Sequence, residues 1–584
     1  MIKKLFRQMS GTQIISAMTT TLCLLIDSIV IGRLLGVDAM SAYGITSPLL
    51  IIFTALGTMM TSGVQVQLGK TMGRGDVSGA NACYSTSVLM SLTLAAVWLL
   101  LVYAAGNPLC TLLGAGKPSA ENTVFRLTGD YLRGFMLGAP FFFLSQIMSA
   151  YLQALGKRKL MLLSVIAMTA ADVVFDLLSV FFFHGGMFGI GLASALSYAA
   201  SFAVGLGYFL KRDCFFRFRK NGIRLQTALG ILRAGSPVLL NQAFFTVRTL
   251  VFNLLLLELG GNPAIAAFAV FTTIMNLMYS IGLGTGSVTL MLSSIFCNEE
   301  DRSSLLALTR AMYPYTTLLI ASTVLAAELA APWLIRLFLG SDPEMLAMAV
   351  PGLRLVLISM LPNVLCNLFK NYFQGIRRTW ITNLTAFLQA IGLMLPCVWI
   401  FSRLFGLTGF WIGSTVGMFL AMLAVMILIW MKHGGVSFSA EAFSYLNPDF
   451  GARAENCVEL AISDVPSAVA ASERLCGFCR EKGIDARTSM LIGLCVEEVT
   501  VNVIEHGFTK DKLTHNVDVR LVVEGGKRII RVRDNCVSFD PTRYLELHQS
   551  SDPAAHIGLR MVMAMVKEAN YVNTLGLNNL TLIL

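Results

Sequence analysis

Three carboxylates stand where water is scarce. Asp27, Asp172 and Asp176 each fall inside a run of apolar residues long enough to cross a bilayer. A charge there is costly and is functional by default. Asp172 and Asp176 are four residues apart, so they share one face of a helix. Asp27 lies 16 residues beyond Gly11 and Asp176 lies 16 beyond Leu160, the expected starts of their helices. That is about 24 Å along each helix, so the two can meet at one depth. Acids packed in low dielectric take up protons or share a cation. Such a set can couple an ion gradient to a conformational change. For Asp27 and Asp172 a structural role, hydrogen-bonded to neighbouring helices, is the competing reading.

The second half of the chain carries a buried charge of the opposite sign. Arg248 lies 12 residues beyond Ser236, where the seventh span is expected to begin. It suits either an anionic substrate or an acidic partner in a cavity. Lys370 falls near the end of its span, where a lysine is expected to snorkel to the interface. Further on, Glu498, Asn502 and His506 recur every four residues and share a helix face. A carboxylate and an amide in that arrangement can present oxygen ligands to Mg2+. A solvated helix face ending at Gly507 explains the same spacing. Cys476 and Cys479 form a C-x-x-C, but no second pair completes a zinc site.

The elements that position these residues are mostly membrane helices. The chain has 584 residues, 55% hydrophobic and 13% charged, with mean hydropathy +0.69. An average soluble domain is about 25% charged, so a polytopic α-helical membrane protein is expected. Twelve spans are predicted near 11–35, 45–69, 81–105, 130–155, 160–183, 188–210, 236–259, 264–296, 306–330, 349–375, 381–404 and 408–431. The net charge of +10 resides in short loops between spans rather than in a nucleic-acid-binding patch. Lys3, Lys4, Arg7, Lys70, Arg74, residues 157–159, the run Lys211, Arg212, Arg217, Arg219, Lys220, Arg224, then Arg377, Arg378 and Lys432 all fall on one side. That side is expected to be cytoplasmic, with both termini there. The twelve cysteines show no secreted disulfide framework, which agrees with a reduced compartment. The 29 methionines and many phenylalanines either line a permissive pocket or simply fill the membrane core.

The chain also repeats itself. "LIDSIVIGRLLGVDAMSAYGITSPLL" (25–50) returns, degraded, as "LVFNLLLLELGGNPAIAAFAVFTTI" (250–274), and residues 131–159 return as 352–379. Arg133/Arg354, Tyr151/Tyr372 and Gln153/Gln374 match at an offset of roughly 220 residues. Six spans per half give two lobes of the same orientation, with substrate expected in the cleft between them. Under that offset Asp27 answers to Val251 or Phe252, and Asp176 to Pro396 or Cys397, so the acid site belongs to the first half alone. The expected divisions are 1–220 and 221–435 for the lobes, 436–454 for a linker and 455–584 for a soluble α+β domain. Its elements are predicted as helices 467–482, 486–506 and 557–568, with strands 517–524 and 528–534 and further strands over 571–584.

Two resemblances follow. "IDSIVIGRLLGVDAMSAYGITSPL", the two six-span halves, and "ADVVFDLL" followed by "GMFGIGLASALSYAAS" resemble the multidrug and toxic compound extrusion family, over residues 1–433. The resemblance implies a membrane exporter of small organic, often cationic or amphipathic compounds, in exchange for H+ or Na+. The family's coupling aspartates would fall on Asp27 and Asp176, while Asp172 stands where members commonly have asparagine. "EEVTVNVIEHG", "VRDNCVSFDP" and "HIGLRMVMAMV" resemble, in order, the histidine-kinase-like ATPase fold, closest in layout to anti-sigma factor serine kinases. That implies ATP or ADP with Mg2+, Glu498 as catalytic base, Asn502 as Mg2+ ligand, Asp534 as the adenine-binding acid, and Gly558 in the later glycine motif. Three glycines of those motifs are replaced, by Cys536, Ser538 and His556, so nucleotide binding is expected to be weak and kinase activity less expected still. The expected whole is an exporter in the cytoplasmic membrane with a cytoplasmic regulatory tail that can also engage a regulatory protein. The alternatives are a flippase for a lipid-linked or anionic substrate, suggested by Arg248, and a membrane-tethered ATP-binding sensor or serine kinase.

Overall fold

A computed structural model describes residues 2–118, 122–211, 214–339, 343–432, 443–447, 450–508, 515–524, 526–537, 539–542 and 557–584. Arg212, Ser538, His556 and residues 433–442 of the linker lie outside the described residues.

The first lobe holds α1 (Ile2–Val30), α2 (Val37–Gly73), α3 (Val77–Leu112), α4 (Thr123–Met136), α5 (Ala139–Ala154), α6 (Arg158–Phe181) and α7 (Gly186–Phe209). The second holds α8 (Leu225–Asn298), α9 (Arg302–Leu339), α10 (Pro343–Ile358), α11 (Met360–Gly375), α12 (Thr379–Phe387) and α13 (Met394–Lys432). Among the described residues nine stretches can cross a bilayer by length and composition, or ten if the bent pair α4 and α5 is one span. One of the nine, Thr379–Lys432, has 54 residues, or about 81 Å of helix, against a hydrocarbon core of about 30 Å. It doubles back at Phe405 and Gly406: Gly409 meets Phe401, Gly413 meets Val398, and Gly417 meets Met394. Its two arms pack against each other, so this stretch supplies two crossing segments.

The duplication is written in the backbone as well as in the sequence. Among the positive-φ positions of the first lobe are the turns at Gly36, Gly75, Gly156 and Gly186. Their partners are Gly261, Glu300, Arg377 and Gly406, also at positive φ and each displaced by close to the offset of the sequence repeat. The caps repeat too. Asp76 accepts from Gly79 N at 2.7 Å to start α3, and Asp301 accepts from Ser304 N at 3.0 Å to start α9. An N-terminal carboxylate satisfies a backbone donor that the first helical turn leaves free.

The tail is a five-stranded antiparallel sheet in the order β1-β2-β3-β5-β4. Its strands are β1 (Cys457–Ile462), β2 (Val517–Glu524), β3 (Lys527–Asp534), β4 (Glu568–Thr574) and β5 (Leu577–Ile583). The helices are α14 (Val465–Glu481), opened by a capping box of Asp464 and Ser467, α15 (Ala486–Asn502) and α16 (Ile557–Met565). Strand β1 was not anticipated, because six residues beside a polar linker carry too little alternation to register. Glu568 opens a strand rather than closing a helix, and α15 ends at Asn502 with a π turn over Val503–Gly507. One face of the sheet, with Val519, Leu521, Ile530, Val532, Leu580 and Leu582, packs on Leu475, Ile492, Val496 and Val562 of the three helices. The other face meets the membrane lobes.

Candidate functional site

The first-lobe acids converge. Asp27 on α1 and Asp172 and Asp176 on α6 are all buried, and Asp27 lies within hydrogen-bonding reach of both others. Helix α7 supplies Ser197, which approaches Asp172, and Cys23 donates to Thr169 beside the same carboxylate. Tyr131 and Tyr198 lie within electrostatic reach of the Asp27 carboxylate. One oxygen of Asp27 and both of Asp176 find no donor among the described residues. Carboxylates accept only, so acids facing each other in a dry helix packing are satisfied by a proton or a cation lodged between them. Ser197 and Tyr198 were not singled out from the sequence; the signal was their place in "GLASALSYAAS", a small-residue helix that must pack closely.

The second lobe has the opposite lining. Arg248 stands on the first limb of α8, stacked over Phe245 at 4.5 Å and Phe252 at 5.7 Å, beside Tyr279. Lys370 on α11 is not a snorkelling residue: it is 8% exposed and its Nζ donates to Asn241 Oδ1 at 3.1 Å. Helix α11 turns that face toward α8, so the amine reaches the lobe interior instead of the interface.

The lobes are held together on the side nearest the tail. Ser294 donates to the Val66 carbonyl at 2.9 Å, Gln65 to Ser287 at 2.9 Å, and Gln374 to Ser62 at 2.6 Å. Gly63 and Gly235 let α2 and α8 approach so closely that a Cβ at either would strike the opposing backbone.

In the tail, Glu498 and Asn502 stand one turn apart on α15, and the Asn502 amide donates to the Glu498 carbonyl at 2.7 Å. The Asn502 side-chain oxygen and the Glu498 carboxylate, one helical turn apart, are hard oxygen donors of the kind Mg2+ takes. Gly558 lies against that carboxylate, with no room for a Cβ. His506 sits exposed in the π turn. Asp534, at the end of β3, accepts from Cys536 N at 2.9 Å and from Asn578 Nδ2 at 2.7 Å. Burial raises its carboxyl above the usual range, and those two donors oppose the rise. Cys536, in a lost glycine position, packs against Gly507. The magnesium-side residues therefore fit their implied role, while Asp534 is partly committed to the protein itself. Among the described residues no cluster of three His, Cys, Asp or Glu side chains can hold a metal. All twelve cysteines are free, and Cys476 donates to the Ser489 carbonyl at 3.2 Å.

The sequence reading missed how the tail docks. Arg520, Arg531 and Arg533 project from the outer face of β2 and β3, with Arg520 directly opposite Arg531 in register. Like charges paired this way destabilise a sheet. They are offset by acids of the α8–α9 turn. Arg520 meets Asp301 at 2.8 Å, Arg531 pairs with Asp301 and with Glu299 at 3.1 Å, and Arg533 meets Glu299 at 2.5 Å. Asn579 donates to Glu299 at 3.0 Å, and Ser303 to Glu459 of β1 at 2.6 Å. Burial alone would raise the Asp301 carboxyl, but the three guanidiniums and the Ser304 hydroxyl hold it far below the usual range. The other end of the sheet reaches the first lobe. The Leu575 amide donates to the Ala154 carbonyl, Leu575 and Gly576 pack on Gly156, and Asn570 of β4 lies over Gly75. The sheet thus spans turns of both lobes, including the repeat-related pair at Gly75 and Glu300.

Comparison with known proteins agrees with this architecture. A family model described as MatE matches residues 13–178 and 237–400, and one described as histidine kinase-like ATPase domain matches residues 463–584. The multidrug export protein MepA of Staphylococcus aureus (strain bovine RF122 / ET3-1) is 23% identical over 405 residues, which cover 69% of this chain and 87% of that protein. MepA of Staphylococcus haemolyticus is 24% identical over 406 residues, covering 68% and 87%. A crystal structure of a MATE protein in complex with MaL6 superposes with a TM-score of 0.69 at 21% identity, over 74% of this chain and 97% of that one. A mutant of the Vibrio cholerae MATE transporter VcmN superposes equally well, at 0.69 and 19% identity, over 76% and 99%.

Proposed function

We propose that this chain, which belongs to the MatE family, exports small organic compounds from the cytoplasm in exchange for H+ or Na+, with Asp27, Asp172 and Asp176 as its coupling site. The observation that carries the proposal is the set of buried carboxylate oxygens with no protein donor among the described residues. An ion bound there removes the repulsion between the acids, and its departure restores it. Either change alters the packing of α1 against α6 and so the first lobe's shape. The class of cargo rests on the multidrug export of the MepA relatives and on the family resemblance, which adds cationic and amphipathic character. The basic loops lie on the side of the tail, which supports a cytoplasmic tail and termini. Reconstituted vesicles given a pH gradient or a Na+ gradient separately test this. Efflux driven by one gradient and lost in Asp27→Asn and Asp176→Asn is expected; full activity in both variants would sink the coupling site.

A second reading concerns the tail, and its docking across both lobes supports it. A sheet that grips the α8–α9 turn with three arginines and the first lobe with its β4–β5 hairpin bridges the two lobes. Weak nucleotide binding with Mg2+ at Glu498, Asn502 and Asp534 would bias that bridge, and couplings of about 1–3 kcal/mol are typical of such control. The tail has no G-x-x-x-x-G-K-[ST] loop, so it adjusts transport rather than drives it. Titrating the full-length protein with ATP and ADP, beside Asp534→Ala, tests this. If neither nucleotide binds at millimolar concentration, the tail is a protein-interaction module instead.

A further inference from the structure

The second lobe holds two cations, Lys370 buried and Arg248 half-buried, and neither forms an ion pair among the described residues. Arg248 and Lys370 come from different helices, α8 and α11, yet lie within electrostatic reach of each other. Asn241 and Arg248 are seven residues apart on α8, two turns along one face, or about 10 Å. Asn241 holds the Lys370 amine, so both cations border one strip of the lobe interior. The Arg248 Nε finds no hydrogen-bond partner among the described residues. The guanidinium is flanked by the ring faces of Phe245 and Phe252, which attract a cation but do not cancel its charge.

The membrane acids of this lobe are already spoken for. Glu258 pairs with Arg403 at 3.5 Å, and Glu328 lies 4.0 Å from Arg354. Glu299 and Asp301 pair with the tail. None of these pairs involves Arg248 or Lys370, and neither forms an ion pair among the described residues. Two like charges in a helix bundle repel each other, and burial strips water from the Lys370 amine. An anion placed between them relieves both costs.

We infer that Arg248 and Lys370, with Asn241 and Tyr279, form an anion subsite that takes a carboxylate or phosphate group. The inference deepens the export reading and rests on it for one point: the anionic group belongs to the cargo. With acids in one lobe and cations in the other, the cargo class is amphoteric: an amphipathic molecule whose cationic end suits the first lobe and whose anionic end suits the second. A phospholipid headgroup offers the same anionic chemistry, and the experiment separates the two sources.

Equilibrium binding to the full-length protein in nanodiscs, read by fluorescence polarisation, requires no gradient. Tetramethylrhodamine, which carries a free carboxylate, and its ethyl ester, which does not, serve as probes. In phosphatidylcholine discs the acid is expected to bind more tightly than the ester. Arg248→Gln and Lys370→Gln should each weaken the acid by about tenfold or more, the scale of one charge-assisted hydrogen bond. Ester binding should stay unchanged, which also shows that the variants are folded. Arg248→Lys should recover part of the loss. Discs containing phosphatidylglycerol supply the second arm. Competition with the acid in the wild type but not in the variants would keep the subsite and assign it to lipid, overturning the cargo assignment. Equal losses for acid and ester, or no loss for either, overturn the subsite. Loss of coupled efflux in the Asp27→Asn variant with this selectivity intact would leave the subsite standing, so failure of the coupling reading is distinguishable from failure of this one.

Discussion

The two lobes descend from one pattern of turns, yet their interiors have opposite polarity. At the offset set by Gly36 and Gly261, Asp27 answers to Phe252 and Cys23 to Arg248. Phe252 packs on Phe268 at 5.9 Å and Phe410 at 4.9 Å, a dry aromatic contact where the first lobe has its acids. Asp176 answers to Pro396 at the offset set by Gly186 and Gly406. Duplication preserved the devices that any polytopic bundle needs: positive-φ turns, helix caps and close α2–α8 approach. It did not preserve the charges. Backbone geometry is dictated by packing, which both lobes share, whereas a buried charge is retained only where it has work to do.

The sharpest way to break this comparison is to neutralise each lobe in turn. Asp27→Asn or Asp176→Asn is expected to reduce gradient-driven efflux to the rate without a gradient, measured in reconstituted vesicles, because an amide cannot release a proton. Phe252→Leu and Pro396→Ala, at the repeat positions, are expected to keep the gradient dependence. If they abolish it as completely, the acids are not special and the lobes work alike.

A second prediction tests the asymmetry of the tail's grip. The double variant Arg531→Ala/Arg533→Ala leaves Glu299 buried without a charge partner and Asp301 with Arg520 alone, a loss of about 3–5 kcal/mol for a broken buried pair. Proteolysis of the full-length protein should then release residues beyond 442 much faster. The same assay should be flat between pH 8 and pH 5. Asp301 is held below its free value, so its contribution is fully present above the free carboxylate range near pH 4 and fades only as pH falls toward the depressed value. Loosening at pH 6 would mean that some other group holds the dock.

A smaller effect is expected at the first-lobe end. Gly156 has φ +66° and faces the Leu575–Gly576 backbone without room for a Cβ. Gly156→Ala should cost about 1–3 kcal/mol through strain and lost contact, seen as added protease sensitivity in the β4–β5 hairpin while the arginine cluster stays protected. The smallest effect concerns nucleotide. Asn502→Ala should remove the Mg2+ dependence of an already weak ATP affinity, measured by calorimetry on the full-length protein, and leave docking unchanged.

Much of this molecule was legible in the sequence. An apolar run as long as 188–210 reads as a membrane helix, since it is long enough to cross and a helix satisfies its backbone within the segment. The spacing of Asp172 and Asp176 set their common face, and the repeat confined the acids to one lobe. Glu498, Asn502 and Gly558 were found by motif and do meet in the structure. What escaped were features whose meaning depends on a distant partner. The alternation in "VDVRLVVE" and "RIIRVRD" reads as strands with one wet face, and nothing local says that this face is buried. Lys370 reads as a snorkelling residue because its depth is visible and its direction is not.

Composition, period and turn residues are local quantities, so the chain alone determined that two similar six-span halves would precede an ATPase-like sheet. It also determined that acids would lie in one half and Arg248 in the other. Only the tertiary structure decided which charges find each other. Glu299 and Asp301 look like ordinary acids of a surface turn until the arginines of a sheet from the far end of the chain are laid on them. Arg248 and Lys370 become a site only because α8 and α11 bring two cations to one strip and no acid with them. Electrostatic energy depends on separation and burial rather than on position along the chain, and both are set by packing.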